Sequence, residues 1–297
     1  ELADRLMEGK DPRNIRGLCY IAPQPPDNFL PLPAFEQVTQ DKHAFIDMFH
    51  TFYANNDPLT AQGLFQKHGD RFLVQNPPAM YQTQAELDEA YELDFELAQH
   101  PYYEQSGPVK ALETIRFSIS THRGCYGECN FCAIAVHEGR TVRWRSKESI
   151  LHEAEQLSRH PQFKGYIQDL GGPTANMYGF ECHKKLSSGS CLHKRCLHPT
   201  VCRALKVDHQ PQLELLKEVR QLKGVKKVFV ASGIRYDMIL ADQRSGDAYL
   251  RELAAHHISG QMKIAPEHTQ AHVLDLMGKP GSDTLLRFKE KFDRFSK

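Results

Sequence analysis

The stretch 114–132, TIRFSISTHRGCYGECNFC, limits what this chain can become more than any other. It opens on alternating apolar side chains (Ile115, Phe117 and Ile119), the period of a strand over 114–120. It then breaks into a loop carrying Cys125, Cys129 and Cys132, where Gly124 and Gly127 leave the backbone free to curl around a ligand. Thiols this close in sequence converge on one metal centre. The spacing C-x3-C-x2-C is not the bacterial ferredoxin run, and no second C-x2-C follows as in a zinc ribbon. A structural Cys3His zinc site completed by His122 or His137 is the competing reading, and unpaired core cysteines are the plain one.

The length of 297 residues allows two domains, and the 37 basic and 37 acidic side chains cancel. A balanced chain carries no global field toward nucleic acid or an acidic membrane. No apolar run is long enough for a membrane span, and the opening ELADRLMEGK is not a signal peptide. The eight cysteines fall mostly in two groups and read as metal ligands before disulfides, which places the chain in a reducing cytoplasm. With no initiator Met, the sequence reads as a piece of a longer protein.

Residues 1–108 read as an accessory region ending in a linker. Residues 1–10 are the tail of a helix and 17–22 a strand with Cys19 as a buried small hydrophobe; five prolines interrupt 23–33. Over 43–55, Phe45, Ile46, Phe49, Phe52 and Tyr53 recur at helical spacing, predicting a helix packed on a core. Another helix is expected over 84–97, before a linker at 98–110. From 111 onward strands and helices alternate, the pattern of an α/β domain with parallel strands. Expected strands are 114–120, 165–169, 227–231 and 261–265. Expected helices are 147–159, capped by Ser146, then 210–222 and 247–257.

The cysteine loop, with Phe131 before its last Cys and a strand in front of it, resembles the radical SAM superfamily, and the wording around it resembles the YgiQ-type family. The resemblance runs from about Ile115 onward. It implies a partial (β/α) barrel over 109–297, truncated to about four strands, preceded by the end of an α/β accessory region over 1–108. It implies that Cys125, Cys129 and Cys132 ligate a [4Fe–4S] cluster whose fourth iron is chelated by S-adenosylmethionine (SAM). Reductive cleavage of SAM to a deoxyadenosyl radical would then abstract hydrogen from a substrate, with flavodoxin or ferredoxin as electron donor. No membrane partner is implied, and nucleic acid has no support beyond the insertion's basic residues.

Strand ends in such folds converge on the site. By the resemblance, Gly171 and Gly172 stand where the family has Gly-Gly-Glu for the SAM amino group, with Pro173 in place of the Glu. Ser232 is expected on the ribose, Arg235 on the methionyl carboxylate, and Glu267 as a SAM-contacting carboxylate with His268 beside it. Arg140, Arg143 and Arg145 read as positive charge near a cluster, or as a solvated basic strand. A second group, Cys182, Cys191, Cys196 and Cys202, lies in an insertion at 182–208 that also holds His183, His193 and His198. Four thiols there are enough for zinc or a second iron–sulfur cluster. A zinc-stabilised RNA- or protein-binding module without catalysis is the alternative for the whole chain.

Overall fold

The computed structural model describes residues 1–296 and divides into two units, Glu1–Tyr81 with Lys184–His193, and Gln82–His183 with Lys194–Lys297. The 182–208 insertion is therefore shared between them.

In the first unit the elements are α1 (Leu2–Met7), β1 (Cys19–Ala22), β2 (Leu30–Leu32), α2 (Phe35–Gln40), α3 (Lys42–Ala54), β3 (Leu64–His68) and β4 (Arg71–Gln75). The sheet order is β1-β4-β3-β2, antiparallel except for the β2–β3 pair. Gly69, at φ +58°, lets β3 turn directly into β4. Alternation puts Leu64 and Val74 inside, while Ile21 and Leu73 face out. Two expectations fail here, the second in part. Cys19 is exposed, because the same alternation turns it away from the core. The helix expected over 43–55 forms as α3, but its apolar stripe is covered only in part: Phe45, Ile46 and Phe49 remain exposed while Phe52 and Tyr53 are half-buried. Asp57, by contrast, is buried, accepting from Tyr81 Oη (2.6 Å) and from the N–H groups of Ser190 (2.8 Å) and Leu59 (3.0 Å). Burial alone would raise its carboxyl, but these donors outweigh it and hold the group below its ordinary range.

The second unit contains α4 (Gln84–Tyr91), α5 (Leu112–Ile115), β5 (Ser118–Ser120), β6 (His122–Arg123), α6 (Ile134–His137), β7 (Arg143–Trp144), α7 (Lys147–Arg159), β8 (Tyr166–Ile167) and β9 (Asp169–Gly171). After α8 (His183–Ser188), which from Lys184 onward belongs to the first unit, it continues with α9 (Gln210–Gln221), β10 (Lys227–Val228), α10 (Tyr236–Ala241), α11 (Gly246–Glu252), α12 (Ala271–Met277) and α13 (Ser282–Phe295). The expected strand over 114–120 survives only in its second half, since Leu112–Ile115 form a helical turn. Helix α7 matches its expected span, and Ser146 Oγ accepts from Ser149 N–H at 3.1 Å as its cap.

The parallel pairings form one series. β5 pairs with β9, and β8 with β10, while Leu170 N–H donates to Phe229 C=O at 2.8 Å. Beyond β10 the expected fourth strand is reduced to a single parallel bridge, Ile234 to Ile264. The result is a mixed α/β unit with short parallel strands, and among the described residues no barrel closes. Its core gathers Ile119, Ile167, Leu170 and Val228 from these strands with Ile150 of α7 and Leu216 of α9. Hydrogen-bond pairing this sparse leaves the burial of those side chains as the main stabilising term. No helix among the described residues is long and apolar enough to cross a membrane.

Candidate cofactor site at the strand ends

Strand β5 runs straight into the cysteine loop, and several contacts fix the loop's path. Gly124 adopts φ +84°, and a side chain there would meet Thr141 O at 2.5 Å, so only glycine fits. Cys125 N–H donates to Gly139 C=O at 3.2 Å, and Tyr126 is fully buried. Glu128, itself at φ +48°, makes a buried ion pair with Arg140 at 3.6 Å. Asn130 donates from its backbone to Met277 C=O (3.0 Å) and from Nδ2 to Leu276 C=O (2.6 Å), and accepts from Arg195 Nη2 at 2.5 Å.

Within the loop, Gly127 marks where the sulfurs meet. A Cβ on it would stand 3.2 Å from Cys125 Sγ, 3.5 Å from Cys129 Sγ and 3.4 Å from Arg235 Nη1. Two thiols and one guanidinium thus border the same small space. Cys125 is further touched by Thr174 Oγ1 at 3.4 Å and by the Gly127 N–H at 3.3 Å. Burial pushes its thiol up, partly offset by those contacts and by Arg235, while neighbouring Cys129 adds to the rise. Cys132 closes the loop with its N–H on Cys129 C=O at 3.0 Å, and all three thiols are free and half-buried. A single ion at 2.3 Å from each sulfur would need them within about 4 Å of one another. Among the described residues no such gathering of three His, Cys, Asp or Glu side chains exists. A multi-iron cluster takes each thiolate on a different iron and does not require that spacing, which is compatible with Cys125 and Cys129 bordering one space. His122 is no fourth ligand: Nδ1 is engaged with Thr121 Oγ1 (2.8 Å) and Nε2 with Thr174 O (2.9 Å). Buried as it is, its imidazole is pushed down to about 4 and is neutral.

Beside the loop, a cleft of about 270 Å³ opens at the carboxyl ends of β5 and β9. Its lining includes Ser120, His122, Gly171, Gly172 and Ser232, together with Ile134 and Glu138 from the segment just after Cys132. The volume is just under the roughly 300 Å³ where small-molecule pockets begin, which suits a ligand lying across the strand ends with part of it in solvent. Both glycines are demanded by contact. A Cβ on Gly172 would meet the His122 ring at 2.7 Å, and one on Gly171 would meet Ser232 Oγ at 3.1 Å. Ser232 itself is held by Asp169, which accepts from its hydroxyl, from its N–H (3.1 Å) and from Ala231 N–H (2.8 Å).

The remaining expected residues take other places. Arg235 is buried and gives Nε and Nη2 to the two Asp237 oxygens at 2.8 and 2.6 Å, so the fork expected for a carboxylate ligand is already filled. Glu267, strained at φ +67°, lies outside the cleft lining; its Oε1 is 3.3 Å from Lys279 Nζ, which also donates to Ala265 C=O and sits over the Phe131 ring. Arg145 is a clamp between β5 and α7, bonding Ser120 C=O, Ser149 and Glu153 and stacking on Tyr91. Breaking a buried pair of that kind costs about 3–5 kcal/mol. Sequence reading missed Asp169, Asn176, Asp237 and Lys279, each of which acts through contacts set by the fold. The one available signal was Asp169, standing directly before Leu170-Gly171-Gly172 at a strand end.

In the second group, Cys182 and Cys196 are buried among Tyr126, Val142, Met177, Phe180 and Leu197, with Cys202 packed against the same cluster. Cys191 belongs to the first unit.

A family model described as Radical SAM N-terminal matches residues 1–118. A UPF0313 protein of Fusobacterium nucleatum is 52% identical over 292 residues, covering 98% of this chain and 51% of the relative. One from Clostridium perfringens is 44% identical over 302 residues, covering 100% and 45%. One from Methanosarcina acetivorans is 48% identical over 269 residues, covering 91% and 35%. The chain spans about half the length, or less, of these curated relatives.

Proposed function

The chain belongs to the YgiQ-type family of the radical SAM superfamily, and on that premise we propose that it is an enzyme that binds a [4Fe–4S] cluster and SAM to initiate hydrogen abstraction. The observation that carries this is the shared space at Gly127, bordered by Cys125 Sγ and Cys129 Sγ, beside a cleft at the ends of two paired parallel strands. Cys125, Cys129 and Cys132 would hold the cluster. When bound, cluster and SAM supply the one-electron cleavage that yields methionine and a deoxyadenosyl radical.

The protein's own part is to bind and orient. Gly171 and Gly172 present backbone without side chains to the cleft, and Asp169 takes the Ser232 hydroxyl proton, leaving Ser232 Oγ to accept from a ribose hydroxyl. Neutral His122 fills the floor without adding charge. Glu267 is proposed to meet the ligand from the fourth strand end. The parallel series over 118–120, 166–171, 227–234 and 264 supports a partial barrel, and the functional division is kept at 108/109. An electron donor such as flavodoxin or ferredoxin and a reducing, cytoplasmic setting follow from this chemistry. Whether the second group, Cys182, Cys191, Cys196 and Cys202, takes zinc, a second cluster or no metal is read out by metal and sulfide analysis of the same protein.

Anaerobic reconstitution with iron and sulfide, then reduction in the presence of SAM, tests the proposal. Iron with acid-labile sulfide, and equal deoxyadenosine and methionine, is the expected result. Zinc without sulfide, or no deoxyadenosine from iron-loaded protein, would overturn it.

A further inference from the structure

A buried cation is costly unless the fold has a use for its position, and Arg235 is held in place with unusual care. Two of its nitrogens are taken by Asp237 in a bidentate pair. The third, Nη1, is turned toward the cysteine loop, 3.8 Å from Cys129 Sγ and beside the point that both sulfurs border. The backbone is pinned on both sides by one side chain: Asn176 Oδ1 accepts from Arg235 N–H at 2.8 Å, and Nδ2 donates to Arg235 C=O at 3.0 Å. The same Nδ2 also reaches His209 Nε2 at 3.0 Å, which places the His209 proton on Nδ1. That proton goes to Asp242 Oδ2 at 2.8 Å, and Asp242 in turn accepts from the N–H groups of His209, Arg244 and Ser245. Asn176, His209 and Asp242 are all buried, and the His209 ring stacks on Tyr249 at 4.6 Å.

Resting on the proposal that Cys125, Cys129 and Cys132 carry a cluster, we infer that Arg235 sets the reduction potential of that cluster, with Asn176, His209 and Asp242 as its positioning residues. The Arg235–Asp237 pair is neutral overall but acts as a fixed dipole with its positive end on the sulfurs. In a water-poor surrounding such a dipole is weakly screened. Positive charge beside an anionic cluster favours the added electron and raises its potential.

The test is a redox titration of reconstituted full chain, followed by the paramagnetic signal of the reduced cluster. Arg235→Met is expected to lower the reduced-to-oxidised ratio at a fixed poise about tenfold, which is about 59 mV for a one-electron couple. Asp237→Asn removes the balancing negative charge and is expected to shift the ratio the opposite way, while Arg235→Lys stays near the parent. A purely structural Arg235 would not yield shifts of opposite sign. Should Arg235→Met fail to fold, the isosteric Asp237→Asn decides alone, and an unchanged or lowered ratio there overturns the inference. Parent protein that takes up no iron and sulfide overturns the cluster reading itself; parent and variants that load equally and titrate alike overturn only this one.

Discussion

The chain's two cysteine groups look alike on paper and differ in their surroundings. Cys125, Cys129 and Cys132 lie in a loop opened by glycines, half-buried, with a guanidinium, a threonine hydroxyl and a backbone N–H turned toward the sulfurs. Cys182 and Cys196 are buried among Tyr126, Phe180, Leu197 and Leu205, and Cys202 packs against the same cluster; burial alone would raise the Cys202 thiol, but backbone N–H groups and Lys194 draw it below its ordinary range. Spacing tells how close thiols can come. Whether they meet polar groups or each other's apolar neighbours depends on elements far away in sequence.

The sharpest way to break this contrast is to exchange sulfur for oxygen in each group. Serine at Cys125, Cys129 or Cys132 is expected to abolish retention of iron and sulfide, while serine at Cys182, Cys196 or Cys202 leaves both in place, measured by metal and sulfide analysis after anaerobic reconstitution. Iron lost from both groups, or from the second alone, would reverse the assignment.

A second test uses acid. The first group's cleft rests on His122, whose folded value of about 4 lies below its ordinary 6.5. The folded state therefore binds fewer protons than the unfolded one, and stability falls as pH drops from about 6.5 to 4, by at most about 3 kcal/mol. His122→Gln is expected to flatten that slope in chemical denaturation at a series of pH values. A slope unchanged by the substitution would remove His122 as its cause.

The smallest effect concerns the second group. Cys196→Ala leaves a small void in an apolar cluster and is expected to cost about 1–2 kcal/mol, with the acid slope unaltered. Thermal and denaturant unfolding measure the first, and the same pH series the second. A change in slope would mean that the Cys196 thiol takes part in the acid response.

Features with a local cause could be read from sequence. Ser146 caps α7 because its hydroxyl reaches only three residues along, and the helix over 147–159 follows from apolar period alone. The hairpin β3–β4 carried its own signal, Gly69-Asp70 between two five-residue strands, and was not drawn from it. Elsewhere the pattern misled. The alternation at 114–117 falls in the end of a helical turn and the turn after it, the fourth strand keeps one bridge, and the apolar stripe of α3 is left partly open. At the site, the three cysteines and Gly171-Gly172 stood out in the sequence by their type and spacing, and the fold sets Cys125 and Cys129 about one space and both glycines in the cleft lining. Arg235 was read as a charge facing a ligand carboxylate, and its contacts to Asp237 and Asn176 had no local signal because they exist only once the fold has formed.

The grip of Leu276 and Met277 on Asn130 has a consequence for how the protein is made. The two ends of that contact are 146 positions apart, an interval that takes the ribosome about 7–30 s to translate. Until the later segment emerges, the thiol-bearing turn hangs without its far wall. If the proposed cluster is loaded there, iron and sulfide delivered during that interval would meet a slack collar, and secure loading would fall after Met277 has been released.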